Sequence, residues 1–178
     1  YTTLFRSVHF RSGVSTVSGL TANLQDYKYG GTTYTDTPGL MDMDSREQAA
    51  QEISAALSKG GNIKLLFVMT LEAGRVRPVD LTTMHIILDA IVAVGVEVNF
   101  KFGIIVNQVT KNVEKRIREM GMDTFASRLQ LKYPTVYIRL NPFDGDAHDA
   151  DNHILKDAGL VKELIDGCPF ISILPNSK

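Results

Sequence analysis

The sequence predicts a mixed α/β domain with a mostly parallel sheet, one antiparallel strand, and helices on both faces. Two continuous apolar runs of strand length, at 63–70 (IKLLFVMT) and 101–109 (KFGIIVNQV), are typical of parallel strands covered on both sides. Amphipathic helical segments alternate with these runs, and repeated strand–helix units favour parallel pairing. Ligands of such sheets bind at the carboxyl ends of the strands, so we expect the functional residues there.

The first elements are predicted from turn residues and from spacing. Residues 21–29 and 32–36, joined through Gly30-Gly31, have the pattern of a β-hairpin. Apolar residues at helical spacing predict a helix over 45–58, and the glycines at 60 and 61 are expected to end it. The strand at 63–70 follows.

The second half of the chain repeats this alternation. Pro78 and Asp80 suit the first turn of a helix over 79–93, whose predicted buried face holds Met84, Ile87, Leu88 and Ile91. After the strand at 101–109, a charged amphipathic helix is predicted over 112–131, with Glu114 and Arg118 spaced to pair. The last predicted elements are a strand over 135–140 and a helix over 151–166 that ends at Gly167.

Composition excludes several classes of function. The 178 residues carry a net charge of −1, which argues against nucleic acid as a partner because nucleic-acid binding needs a basic surface. The single cysteine, Cys168, excludes an internal disulfide and favours a reducing compartment, which predicts a cytoplasmic protein. No apolar run approaches the roughly 20 residues of a membrane span, although peripheral membrane contact stays open.

Polar residues follow the predicted strands. The strand at 32–36 ends in Asp36-Thr37-Pro38-Gly39, where a carboxylate can hold Mg²⁺ through water and a glycine N–H can approach a phosphate oxygen. The alternative is a plain turn. Asn107 follows the strand core at 101–106, where its amide either bonds a base edge or caps the next helix. Asn141 follows the strand at 135–140.

Two loops have weaker signals. LEAGRVRPVD, residues 71–80, reads either as an ordinary connection or as a phosphate or partner contact through Arg75 or Arg77. The acidic loop at 144–153 (DGDAHDADNH) lacks the glycine and glutamate of a calcium loop, and its histidines lack partners at zinc spacing. A solvated loop is the better interpretation.

The segments SGLT, DTPGL, IKLLFVMTLEAGRVRPVDLTTM and IIVNQVTK occur here in that order. With them the chain resembles the GTPase domain of the IMAP-like, immune-associated nucleotide-binding family. This family belongs to the septin, dynamin and Toc-related P-loop GTPases. The resemblance extends from about residue 10 to the last helix. It implies a three-layer P-loop GTPase-type fold, GTP or GDP and Mg²⁺ as cofactors, and a possible homodimer across the nucleotide face.

The resemblance also implies the binding residues. Asp36 and Gly39 match the Mg²⁺-linked Asp and the γ-phosphate-sensing Gly of the second switch. Thr21 matches the first-switch Thr that closes on Mg²⁺, with Thr16 as the alternative, and Asn107 matches the Asn of the guanine box. The implied set is completed by neighbouring strand-end residues. The nucleotide-binding candidates are thus Thr21, Asp36, Thr37, Gly39, Asn107, Thr110 and Asn141, with Asp36 and Thr21 also at the metal.

Two positions depart from the family pattern. Thr110 replaces the Asp that would accept hydrogen bonds from guanine N1 and N2, so guanine specificity comes from the resemblance alone. Leu40 stands where signalling GTPases place a water-orienting Gln, so hydrolysis would need help from elsewhere, for instance from Arg75 or Arg77 across a dimer.

The 178 residues contain no G-x-x-x-x-G-K-[ST] loop. We expect that loop, with the first strand of the domain, to precede residue 1, and we expect the 178 residues alone to be inactive. The leading interpretation is a GTP-binding switch with slow hydrolysis in the intact protein. The alternatives are a pseudo-GTPase that serves as a protein-binding scaffold, and an unrelated doubly wound enzyme, for which we find no catalytic Ser, Cys or His at a strand end.

Overall fold

The computed structural model describes residues 24–37, 46–93, 95–96, 100–133, 137–142 and 159–174. The chain divides into two compact units. The first comprises Tyr1–Lys59 and Asp144–Ala158, and the second comprises Gly60–Phe143 and Gly159–Lys178. Each unit is described by itself. Among the described residues no helix is long and apolar enough to cross a membrane.

The described residues form eight strands and five helices. The strands are β1 (Gln25–Tyr29), β2 (Thr32–Asp36), β3 (Gly61–Ile63), β4 (Leu66–Glu72), β5 (Arg75–Val76), β6 (Gly103–Val109), β7 (Tyr137–Pro142) and β8 (Ile171–Ile173). The helices are α1 (Arg46–Ser58), α2 (Pro78–Ala93), α3 (Lys111–Met120), α4 (Met122–Arg128) and α5 (Gly159–Gly167). The mixed α/β class predicted from the sequence is confirmed.

The first unit contains the predicted hairpin. Strands β1 and β2 pair antiparallel, from Tyr29 opposite Thr32 to Gln25 opposite Asp36. Gly30 and Gly31 have φ angles of 55° and 78°, the left-handed conformation that a two-residue hairpin turn of this hand requires. Helix α1 follows and buries apolar side chains at helical spacing, namely Ile53 and Leu57.

The second unit is organised around a four-stranded sheet in the order β5-β4-β6-β7. Strands β4, β6 and β7 are parallel, and β5 pairs antiparallel with β4. The sequence predicts one antiparallel strand but does not place it at 75–76, because residues 71–80 read as a loop. Ala73 and Gly74, with φ angles of 47° and 77°, reverse the chain there and return it as β5.

Strand β4 is shorter than predicted, and its side chains are more exposed to solvent than predicted. It begins at Leu66 rather than at residue 63, and Phe67 and Met69 are buried while Val68 is 51% exposed. The expectation that this strand is covered on both faces is therefore wrong for the described part of the chain. Strand β6 is the more buried one, since every residue from Gly103 to Val106 is buried.

The packing of β6 against α5 depends on a glycine, Gly103, at the start of the strand. A Cβ atom added to Gly103 would lie 2.5 Å from Leu66 Cδ2, 3.8 Å from Cys168 Sγ and 3.9 Å from Leu164 Cδ1. Leu164 lies in α5 and Cys168 directly follows it, and both are buried. The glycine therefore lets the helix end approach the start of the strand closely.

The predicted helix over 112–131 is two helices. Gly121 has a φ angle of 89° and separates α3 from α4, because the left-handed backbone ends the first helix at that point. The predicted ion pair within α3 is present, with Arg118 Nε donating to Glu114 Oε1 at 2.9 Å. Helix α2 buries Met84, Leu88 and Ile91 as predicted, whereas Ile87, on the same predicted face, is only half-buried.

A second, two-stranded sheet was not predicted. Strands β3 and β8 pair antiparallel, with Asn62 opposite Ser172. Lys64 holds this sheet to the end of α5, because its Nζ donates to the carbonyl oxygens of Ile165 at 2.6 Å and Asp166 at 3.1 Å. Of the predicted last helix, residues 159–166 lie in α5, and the part at 151–158 lies outside the described residues.

Candidate functional site

The parallel strands of the second unit bring three predicted or adjacent polar residues to one edge of the sheet. Thr70 near the end of β4 and Asn107 on β6 are register partners, and Asn141 lies near the end of the neighbouring strand β7. Because the three strands run in the same direction, their carboxyl ends meet at this edge. The structure thus brings together two of the predicted nucleotide-binding residues, Asn107 and Asn141.

A β-bulge shapes this edge. Val106 pairs with Leu140 and Val109 with Pro142, so two residues of β6, Asn107 and Gln108, face the single residue Asn141. Gln108 has a φ angle of 56°, a left-handed conformation that costs a residue other than glycine about 1–3 kcal/mol. Bulges re-aim side chains where pairing ends. The sequence does not predict this bulge, because glutamine, unlike glycine, does not favour a positive φ.

The two asparagines form a direct amide pair. Asn141 Nδ2 donates to Asn107 Oδ1 at 2.6 Å, and the bond is partly buried. The carbonyl oxygen of Asn107 accepts this bond, and its Nδ2 group is the donor part of the same amide. The alternative in which Asn107 caps the following helix is wrong, because the N-cap of α3 is Thr110.

Thr110 connects this edge to α3. Its backbone is extended, with φ −69° and ψ 153°, and its side chain makes no capping hydrogen bond. The residue is exposed, and its carbonyl oxygen accepts the first helical bond from Glu114 N at 2.9 Å. The Thr110 hydroxyl is therefore not held by a capping bond to the helix.

The phosphate-side candidates lie in the first unit. Asp36 is the last residue of β2 and is half-buried, and Thr37 follows it as an exposed residue. Thr21 and Gly39 lie outside the described residues, as do Thr16 and Leu40. In the part of the chain that is described, no group of three or more His, Cys, Asp or Glu side chains is placed to hold a metal ion.

The two arginines of the predicted contact loop have different environments. Arg77 donates from Nε and Nη2 to the two carboxylate oxygens of Asp80, both at 3.0 Å. This bidentate pair fixes Arg77 at the start of α2, which is a structural role that the sequence interpretation missed despite the three-residue spacing. Arg75 is exposed on β5, opposite Glu72.

The described residues include one cysteine and one histidine. Cys168 is buried after α5, and burial raises the pKa of its thiol even though the positive charge of Lys64 opposes the shift. His85 lies in α2, and its Nε2 is buried without a hydrogen-bond partner in the described structure. The acidic loop at 144–153 lies outside the described residues.

Comparisons of the chain with protein-family models, with curated proteins and with solved structures gave no match.

Proposed function

We propose that this chain is part of a GTP-binding switch domain that hydrolyses GTP slowly with Mg²⁺ in the intact protein. The observation that carries the proposal is the amide pair of Asn107 and Asn141 at the ends of adjacent parallel strands. In sheets of this kind the carboxyl ends of the strands bind the ligand. The proposal includes the three-layer P-loop arrangement, a cytoplasmic location and the resemblance to the IMAP-like GTPases.

The proposed roles divide between base and phosphates. Asn107 would donate from its amide to the guanine base, and Asn141 would hold the Asn107 side chain in place. A binding role of this kind would be a reason for the strained backbone at Gln108, which lies next to Asn107. In the first unit, Asp36 would hold Mg²⁺ through water, and the N–H of Gly39 would contact the γ-phosphate. Thr21 would close on the metal, with Thr37 adjoining the phosphates.

The phosphate cradle is the missing part of this proposal. Backbone N–H groups, a Lys and a Ser/Thr of a G-x-x-x-x-G-K-[ST] loop supply most phosphate contacts in such domains, and residues 1–178 lack this loop. The test is the coding sequence upstream of the Tyr1 codon. A phosphate-binding loop between an apolar strand and a helix is the expected result. An open upstream frame without such a loop would contradict the GTPase proposal.

Hydrolysis is proposed to need a second copy of the chain. Leu40 has no group that could orient water, so a charged residue would have to reach the nucleotide across a homodimer. Arg75 is the better placed of the two arginines, because Asp80 already binds Arg77. We expect Arg75→Ala to lower turnover in the intact protein. If Arg75→Ala and Arg77→Ala both leave turnover unchanged, dimer-assisted hydrolysis is wrong.

The second candidate function is a pseudo-GTPase that binds a protein partner. It is favoured by Thr110, whose hydroxyl replaces the carboxylate that would secure guanine. Affinity for Mg²⁺–GDP in the intact protein separates the two candidates. A scaffold module would not bind the nucleotide, and its partner surface would then be sought around Arg75.

A further inference from the structure

We draw no further inference here: the strongest candidate, the exposed surface of β4 around Val68 in the second unit, carries no proposal because nothing in the described part of the structure shows what covers it.

Discussion

Replacing Gly103 by alanine tests how the second unit is packed. The added Cβ would lie 2.5 Å from Leu66 Cδ2, whereas carbon atoms in contact are optimally about 3.5–4.0 Å apart. Leu66 would therefore have to retreat by about 1 Å or more. The other two neighbours, Cys168 Sγ and Leu164 Cδ1, are already at ordinary contact distance, so they leave the added methyl no room to move away from Leu66.

The magnitude follows from two opposing effects. Overpacking of this kind costs about 1–3 kcal/mol, and the low end applies because the clashing atom is the end of a flexible, half-buried leucine. Gly103 does not have a positive φ, so alanine gains about 0.4–1 kcal/mol by restricting the unfolded chain. The two effects nearly cancel, so we expect Gly103→Ala to lower the free energy of unfolding by less than about 0.6 kcal/mol.

The assay is urea denaturation of the 178-residue chain, followed by circular dichroism. Leu66→Ala supplies the control, because it removes the atom that the new methyl meets. In the Leu66→Ala background the overpacking is absent, so Gly103→Ala should instead stabilise the chain by about 0.4–1 kcal/mol. An equal effect of Gly103→Ala in both backgrounds would refute the close approach of Leu66 on β4 to Gly103 on β6.

Three further predictions concern residues outside the proposed site. The Cys168 thiol should react very slowly with a disulfide reagent at pH 8 and rapidly in urea, because burial raises the pKa of the thiol and blocks access of the reagent. A fast reaction of the folded chain would contradict this prediction. Hydrogen bonding from Thr35, with help from Lys59, lowers the pKa of Asp26 below the ordinary value of 3.8. The ionised Asp26 therefore stabilises the folded chain above pH 3.8, and this stabilisation is lost as the pH falls through the pKa of the folded state. Thr35→Val should raise that pKa in a carboxyl-carbon NMR titration, and an unchanged value would exclude the bond as its cause. Arg77→Ala should lower the free energy of unfolding, measured in urea, by about 1–2 kcal/mol. The carboxylate of Asp80 is nearly buried, and the substitution removes the arginine that pairs with it. A stability equal to wild type would show that the pair is not formed in solution.

The elements that the sequence predicted well carry local signals. Two adjacent glycines between two short strand patterns predict a hairpin, because glycine readily takes the positive φ angles of a two-residue turn. Strands β1 and β2 pair as expected. The buried core of β6 and the buried face of α2 follow from continuous and helical apolar patterns. The two- and three-residue strands β5 and β8 were missed, since so short a strand exists only through its pairing partner.

The break at Gly121 was missed for a different reason. Apolar and charged residues continue at helical spacing beyond it, so the pattern suggested one helix over 112–131. The glycine takes a left-handed φ and ends α3 instead. A glycine inside a helical pattern is compatible with either outcome, and here the termination signal prevails over the spacing.

The candidate site was predicted only in part. Asn107 and Asn141 were found because polar residues at parallel strand ends are expected to converge, and the structure joins them by a hydrogen bond. The bulge at Gln108 depends on how β6 is offset from β7, which no local pattern encodes. One of the two interpretations of the loop at 71–80 makes Arg75 or Arg77 a ligand contact, whereas in the structure Arg77 pairs with Asp80.

The most direct measurement of the central claim is an NMR titration with GMP in the millimolar range, made on the ¹⁵N-labelled chain as encoded with any coding sequence that precedes residue 1. The side-chain amide signals of Asn107 and Asn141, assigned from single Asn→Ala variants, are expected to shift with saturation. Asn112→Ala, on the exposed surface of α3, should leave those shifts unchanged. If the two amide signals do not move, or if GMP shifts signals elsewhere only, the strand-end pair is not a base-binding site and the account is wrong.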